Sequence, residues 1–331
     1  MDTRALDIAI DLATIREAHA RIAPHVRRTP VVSSAALDAI VGARLYFKCE
    51  NLQEIGAFKA RGATNAVFSL SDRDAARGVV THSSGNHGAA LAWAAARRGI
   101  PAWVVMPENA PAVKQANVRG FGGIVRLCAP NVAAREAACT AVQNETGATL
   151  IHPYDDWRVI AGQGTAALEL IDEVPALDAV ITPVGGGGLL SGTAIAARGL
   201  LPAIRVYGAE PAGADDAQRS LAAGRVLPQA NPQTIADGLR TALCDKTFAV
   251  ISSAVDGIGL ASETGIVRAM RLAWEKLRIT IEPSSAVPLA CLLEKTIVLD
   301  GSSVGIIVSG GNVDLDRLPW QSSNPESPAP R

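Results

Sequence analysis

The sequence predicts an α/β protein with parallel, wound sheets in two lobes, and three observations carry that prediction. Short β-branched runs alternate with Ala-rich stretches along the chain, the β-then-α rhythm of a wound sheet. The last three strand candidates are mostly apolar, as strands covered by helices on both faces are. The chain has 331 residues, and with domains of roughly 100–200 residues two lobes fit better than one.

Strands are expected at 44–49 (RLYFKC), 78–82 (GVVTH), 102–106 (AWVVM), 124–127, 179–183, 205–210 and 304–309. Helices fall between them. The run 88–98 (GAALAWAAARR) ends at Gly99, a good C-terminal stop. Further helices are expected at 133–145, 164–171, 189–198 and 264–277, the last with Ile266, Val267, Met270, Ala273, Trp274 and Leu277 at helical spacing. No internal repeat or charge block interrupts this rhythm. One lobe inserted into the other is the expected organisation: 1–67 with 151–320 form the larger lobe, 68–150 the smaller, and the Pro- and Ser-rich 321–331 a flexible tail.

Composition removes several function classes. Apolar residues make up 48% and charged ones 19%, enough apolar material for a sizeable core and against wholesale disorder. The 31 basic and 32 acidic side chains give a formal charge of −1, without the basic surplus of a nucleic-acid binder. No apolar run approaches the ~20 residues of a membrane span. The start, MDTRALDIAIDL, lacks the long apolar region of a signal peptide. Cys49, Cys128, Cys139, Cys244 and Cys291 are scattered, with no C-x-x-C, which fits reduced thiols in a cytoplasmic protein and not a structural zinc site.

Four constellations carry chemistry. Gly185, Gly186, Gly187 and Gly188 join a strand to a helix, so bare backbone N–H groups can converge on an anion at the helix's positive end. A tight turn alone needs one glycine, not four. The following strand ends in Glu210, about where a dinucleotide-binding acid would sit, but the third glycine of G-x-G-x-x-G is missing in either register: Ser191 or Leu190 stands there. No Gly-Lys-Ser/Thr follows, so a P-loop fails too, and a single phosphate is the better guest. Lys59, in GAFKARG, is a lysine among small and apolar residues, where desolvation can free its amine as a nucleophile; a lone lysine is otherwise a solvated surface residue. THSSGNHG (81–88) again opens a helix, with backbone donors suited to a carboxylate, Asn86 able to donate to an aromatic oxyanion and Ser84 able to move a proton. G-x-S-x-G is absent, which argues against a hydrolase elbow, and His82 and His87 lack H-x-x-x-H metal spacing and read equally as structural. Finally, Ser309-Gly310-Gly311-Asn312 lets a flat ligand approach and offers Ser309 to a ring nitrogen, although by itself it is an ordinary turn.

Together these motifs resemble the fold-type II pyridoxal-phosphate (PLP) enzymes, and within them the serine racemase and serine/threonine dehydratase branch. The resemblance spans roughly residues 15 to 315, through KCENLQEIGAFKARGA, THSSGNHGAAL, IAGQGTAALE, PVGGGGLLSG, GAEPAGADD, TIADGL, IEPSSA and VSGGNVDL in that order. It implies two wound lobes with pyridoxal 5′-phosphate between them. Lys59 matches the Schiff-base lysine, and Gly185 to Gly188 the phosphate loop. Asn86 matches the partner of the phenolic oxygen, and Ser309 that of the pyridine nitrogen. Phe58, Leu189, Gly238, Glu282 and Gly310 complete the implied cofactor shell. Ser83, Ser84, Gly85, Asn86 and His87 form the substrate-carboxylate loop, with Arg135 near the distal end of the substrate. Ser84 matches the second proton-transfer residue of the racemases, where plain threonine dehydratases more often carry Ala. Glu210, Ala214 (through its carbonyl) and Asp216 match a site for Mg²⁺, or for Ca²⁺ or Mn²⁺, and hard cations suit such oxygen ligands. A homodimer is implied as well.

The resemblance therefore implies a dehydratase (ammonia-lyase) that takes a β-hydroxy-α-amino acid to a 2-oxo acid and ammonia, or an amino-acid racemase with elimination as a side reaction. β-Replacement and a non-catalytic sensor are weaker readings; the latter has no use for Lys59. Departures from the family pattern bear on the substrate. Ile55 and Ala57 replace the usual Thr and Ser, Tyr154 replaces a frequent Asn, and Trp157 adds bulk, so an apolar entrance and a larger β-substituent, as in phenylserine, are expected. Glu54 stands where mammalian serine racemase has an ATP-binding lysine, which argues against ATP activation, although Lys114 is retained.

Overall fold

The structure is a computed structural model that describes residues 8–83 and 85–321. In chain order the first elements are α1 (Leu12–Ile22), β1 (Val31–Val32), α2 (Ala35–Val41), β2 (Arg44–Cys49), α3 (Lys59–Phe68), α4 (Asp72–Ala75), β3 (Val79–His82), α5 (Asn86–Arg98), β4 (Ala102–Pro107), α6 (Ala112–Gly120), β5 (Ile124–Cys128), α7 (Val132–Thr146) and β6 (Thr149–Leu150). Then come α8 (Trp157–Glu173), β7 (Ala179–Pro183), α9 (Gly188–Leu200), β8 (Arg205–Pro211), α10 (Asp216–Ala223), α11 (Asp245–Ala254), β9 (Gly257–Ala261), α12 (Glu263–Leu277), α13 (Pro283–Leu293) and β10 (Ser303–Val308).

Two sheets result, a six-stranded one ordered β1-β2-β10-β7-β8-β9 and a four-stranded one ordered β5-β4-β3-β6. Every pairing is parallel except β1 on β2. In the larger sheet β10 is central, with Val304 paired to Leu45 on one side and to Ala179 on the other. Its faces are packed separately: α2, α12 and α13 supply the cluster around Leu37, Ile266 and Leu289, while α8, α9 and α11 supply that around Leu170, Leu190 and Ile251. In the smaller sheet α5 packs on one face and α7 on the other, through Leu91 and Val142. Burial on both faces explains the unbroken apolar run of β10, all six residues of which are buried.

The predicted strands all form, within one residue at either end. Three were not predicted: β1 and β6 have two residues each, and β9 (GIGLA) is glycine-rich. The helix expected at 164–171 begins seven residues earlier, at Trp157. Its two glycines do not end it; they are helix-packing sites. A Cβ on Gly162 would sit 2.6 Å from the Gly62 Cα of α3, and one on Gly164 would sit 2.7 Å from the Gly192 carbonyl of α9. α8 is thus clamped between α3 and α9, the helices that carry Lys59 and follow the glycine run.

Beneath α3 lies a buried ionic cluster. Arg61 is fully buried and binds Glu50 (Nε to Oε2, 2.7 Å) and Glu169 (Nη2 to Oε2, 2.8 Å), and Lys48 binds Glu169 at 2.7 Å. Burial alone would raise the Glu169 carboxyl; hydrogen bonds from His19 and Arg61 and the charges of Arg61 and Lys48 hold it well below the usual carboxylate range. Two cations and two anions cancel, which is how charge is tolerated there.

Among the described residues no helix is long and apolar enough to cross a membrane. All five cysteines are free.

Candidate active site

Parallel sheets present loops at the C-terminal ends of their strands. Here the ends of β2, β3, β7, β8 and β10 bring the predicted residues forward. Lys59 is reached through a strained turn, with Ile55 at φ 58° and Gly56 at φ 70°. A β-branched residue in the left-handed region persists only when its surroundings fix it. They do: Asn312 Nδ2 donates to the Ile55 carbonyl at 2.8 Å, and the Phe58 amide donates to the Ser309 carbonyl at 2.9 Å. Ala57 and Gly310 form a bridge between the two segments. The Lys59 Nζ donates to the Pro153 carbonyl at 2.9 Å and lies 5.1 Å from the Phe58 ring centroid. Burial pulls this amine down to about 8, so that it is a usable base and nucleophile near neutral pH.

Gly185 to Gly188 are buried, and their N–H groups find no acceptor among the described residues. Four such buried donors in succession call for an external acceptor, and they stand at the positive end of α9. A Cβ on Gly186 would collide with the Tyr154 ring, and one on Gly185 would lie 2.9 Å from the Gly238 carbonyl, so any side chain would fill the cradle. Leu189 follows with its side chain in the core. The Gly238 amide is held by Ser284 Oγ at 3.2 Å.

Ser309, buried at the end of β10, has its Oγ 2.9 Å from that of Ser285, whose oxygen also accepts from the Gly310 amide at 2.7 Å. The hydroxyl pair is neutral. Asn86 opens α5; its Nδ2 donates to both Glu282 oxygens at 3.1 Å, and its Oδ1 accepts from Asn312 Nδ2 at 2.9 Å. Burial pushes Glu282 up to about 7, against the opposing effect of the Asn86 hydrogen bond. Lysine, glycine cradle, neutral hydroxyl and Asn86 together fit a phosphorylated aromatic aldehyde.

In the carboxylate loop, Ser83 Oγ accepts from the Gly85 amide at 3.3 Å. Ser84 lies outside the described residues. His87 is buried with Nε2 3.2 Å from the Ile151 carbonyl, so its ring ties the loop to the neighbouring segment; burial and the Lys59 charge hold it well below the usual range. Arg135, half-buried on α7, makes no ion pair among the described residues, and its charge reaches both His82 and Tyr154. Sequence reasoning passed over His152, Pro153 and Ser285, and named Asn312 only as part of the Ser309–Asn312 turn. Only the stretch HPYDD, polar and aromatic after a strand, could have signalled the first two.

Ala57 is fully buried beside Gly310, Ile55 packs into the α3–α5 core, and Trp157 packs against the α8–α9 cores. Ala57 thus serves packing, whereas Ile55 and Trp157 are half-buried and keep part of their side chains exposed. Glu54 pairs with Arg27 at 2.9 Å.

At the end of β8, Glu210 accepts from the Ala217 and Gln218 amides at 3.0 and 2.9 Å, anchoring the first turn of α10. Asp216 accepts from Gln229 Nε2 at 3.0 Å, while its Oδ2 is buried without a partner. Burial raises Glu210 to about 8 and Asp216 to about 6, and the charge of Asp216 adds to the rise at Glu210. An orphaned carboxylate oxygen beside a second buried carboxylate fits a hard cation. Among the described residues no group of three or more His, Cys, Asp or Glu side chains could hold a metal, so any such site depends on carbonyl or water oxygen as well.

Fold and site define a lysine-based cofactor enzyme with its site at strand ends. Residues 22–310 match the family described as pyridoxal-phosphate dependent enzyme, and the chain belongs to that family. It is 54% identical over 303 residues to the β-hydroxyaspartate dehydratase of Paracoccus denitrificans (strain Pd 1222), covering 92% of this chain and 96% of that one. The maize serine racemase structure superposes with a TM-score of 0.92 at 50% identity, covering 94% of this chain and 96% of that chain. The T.th. threonine deaminase structure gives 0.87 at 44% identity, covering 92% and 99%.

Proposed function

We propose that this chain is a pyridoxal-phosphate-dependent dehydratase (ammonia-lyase) that converts a β-hydroxy-α-amino acid to a 2-oxo acid and ammonia by β-elimination. The observation that carries it is the buried amine of Lys59, brought forward at the strand ends along with four unpaired glycine amides and the neutral Ser309 hydroxyl. Bound pyridoxal phosphate supplies the electron sink that acidifies the substrate's Cα–H. Gly185 to Gly188 would hold its phosphate, Ser309 its ring nitrogen and Asn86 its phenolic oxygen. The loop around Ser83, Gly85 and Asn86 fixes the substrate carboxylate. Lys59 takes the proton at Cα and returns one to the departing β-hydroxyl. The released enamine hydrolyses to the 2-oxo acid. A neutral ring partner favours loss of the β-substituent over prolonged charge storage on the ring, which supports elimination.

The relation to β-hydroxyaspartate dehydratase and the unpaired Arg135 favour 3-hydroxyaspartate over phenylserine. Racemisation is the second reading, supported by the likeness to serine racemase and by Ser84 in the sequence. Asp216, the Ala214 carbonyl and Glu210 are proposed to bind Mg²⁺ or a similar cation. The lobes are assigned as 1–67 with 151–320 and as 68–150, the assembly as a homodimer and the compartment as the cytoplasm. Borohydride reduction followed by peptide mapping should find a pyridoxyl label on Lys59. The enzyme should form oxo acid from at least one of serine, threonine, 3-hydroxyaspartate and phenylserine; product from none would end the reading. Chiral analysis of residual substrate in the same assay separates elimination from racemisation.

A further inference from the structure

We propose that Tyr154 is a cofactor-retaining residue: its ring forms one wall of the glycine cradle and keeps water from the phosphate bound there. The inference rests on pyridoxal phosphate as the guest of the cradle and is independent of which amino acid the enzyme takes.

The four glycines face two walls in alternation. A Cβ on Gly185 would lie 2.9 Å from the Gly238 carbonyl, and one on Gly187 would lie 2.7 Å from Leu243 Cδ2 and 2.8 Å from Thr247 Cβ. A Cβ on Gly186 would instead lie 2.3 Å from Tyr154 Cδ1 and 2.4 Å from its Cγ, and one on Gly188 would lie 3.1 Å from Tyr154 Cβ. Tyr154 therefore fills the space that side chains at two of the four positions would take, and residues 238–247 fill it at the other two. Between these walls the four amides find no acceptor among the described residues. The Tyr154 wall is fastened from outside the cradle. His152 Nδ1 accepts from the Tyr154 and Asp155 amides at 3.4 and 2.8 Å, and the two rings meet edge-on at 4.7 Å and 84°. Lys246 of α11 donates to Asp155 Oδ1 at 2.7 Å, and Pro153 accepts from the Lys59 Nζ at 2.9 Å. A ring held on both sides in this way loses little further freedom when a guest arrives. Burial pushes the Tyr154 phenol up to about 12, so the wall sets no charge against an anion. Hydrogen bonds from backbone amides to a phosphate are strongest where water cannot compete, and an aromatic ring against the cradle supplies that condition. An asparagine at 154 would leave Gly186 uncovered.

Full-length parent, Tyr154→Phe, Tyr154→Asn and Tyr154→Leu, stripped of cofactor, are titrated with pyridoxal phosphate and with pyridoxal, the same aldehyde without the phosphate. Binding is read from cofactor absorbance. Tyr154→Phe keeps the ring and should bind both within about threefold of the parent. Tyr154→Asn and Tyr154→Leu should weaken pyridoxal phosphate about tenfold or more and leave pyridoxal within about threefold, because only the phosphate meets the wall. A purely structural role for the ring predicts that both aldehydes weaken together, since the same segment holds the Lys59 amine through Pro153. That pattern overturns the proposal. So does unchanged affinity for pyridoxal phosphate in whichever of the Asn and Leu variants folds, or a loss in Tyr154→Phe as large as theirs. Inorganic phosphate gives a readout without the aldehyde: it should raise the melting temperature of the parent and of Tyr154→Phe more than that of Tyr154→Asn or Tyr154→Leu. Equal increments overturn the proposal as well. Should the parent bind neither aldehyde, the pyridoxal-phosphate reading falls, and the phosphate measurement still decides the role of Tyr154.

Discussion

Glu282 stands at the N-cap position of α13, and its carboxyl, which accepts from Asn86 and makes no capping bond to the helix, is enclosed by Asn86 and Gly310. Burial moves it from an ordinary 4.5 to about 7. Across that window the folded protein keeps a proton that the unfolded chain has released. Its contribution to stability therefore falls as pH rises from 4.5 to 7 and changes no further above. Glu282→Gln abolishes the titration, so thermal unfolding between pH 5 and pH 8 should show the variant gaining on the parent as pH rises; parallel curves would assign the proton elsewhere. At this scale the sequence is legible where chemistry is written in consecutive residues: Lys59 in its small-residue context, four glycines in a row, SGGN after a strand. It is silent where function depends on segments meeting. His82 reads as structural because its edge contact with His152 joins β3 to the segment after β6, and Ser285 becomes visible only when α13 is seen against β10.

Among the elements, α3 depends most on what lies beneath it. Removing the Arg61 cation would leave the buried Glu50 and Glu169 carboxylates facing each other without their shared partner. Arg61→Met should cost about 3–5 kcal/mol in urea unfolding; a cost under about 1 kcal/mol would mean that the two acids are rehydrated or protonated at little expense. Because Glu169 is held below its ordinary range, the parent should also lose stability as pH falls through the acid region. Element boundaries are hard to read where glycine and proline serve packing instead of chain reversal. Gly162 and Gly164 make α8 look shorter than it is, and α13 leaves no helical signal because it begins at Pro283 and contains Pro288. Periodicity cannot help with α13, whose buried residues surround the helix.

For the whole molecule, the elements of the two sheets are joined among the described residues by polar contacts that include Asn86 to Glu282 and to Asn312, and Lys114 to Asp237 at 2.6 Å. The order of motifs along the chain reveals this arrangement because each follows a parallel strand, and strand ends in such sheets gather on one side. The number of strands in each sheet is less legible, since β1 and β6 are too short to leave a pattern. Stability of the assembled molecule should respond to divalent cation. After chelation, Mg²⁺ should raise the melting temperature by a few degrees, following saturation of a single site, and Asp216→Asn should erase the response. An unchanged melting temperature would leave Asp216 Oδ2 to water alone.

Gly62 and Gly162 touch nothing that reacts, yet they set the distance at which α3 crosses α8. A saturation-mutagenesis map would score these two positions as intolerant as 59 itself. Read as a list of participants, such a map would enrol them in the chemistry, whereas they act as a gauge block: one added methyl moves the lysine's helix bodily away from its station.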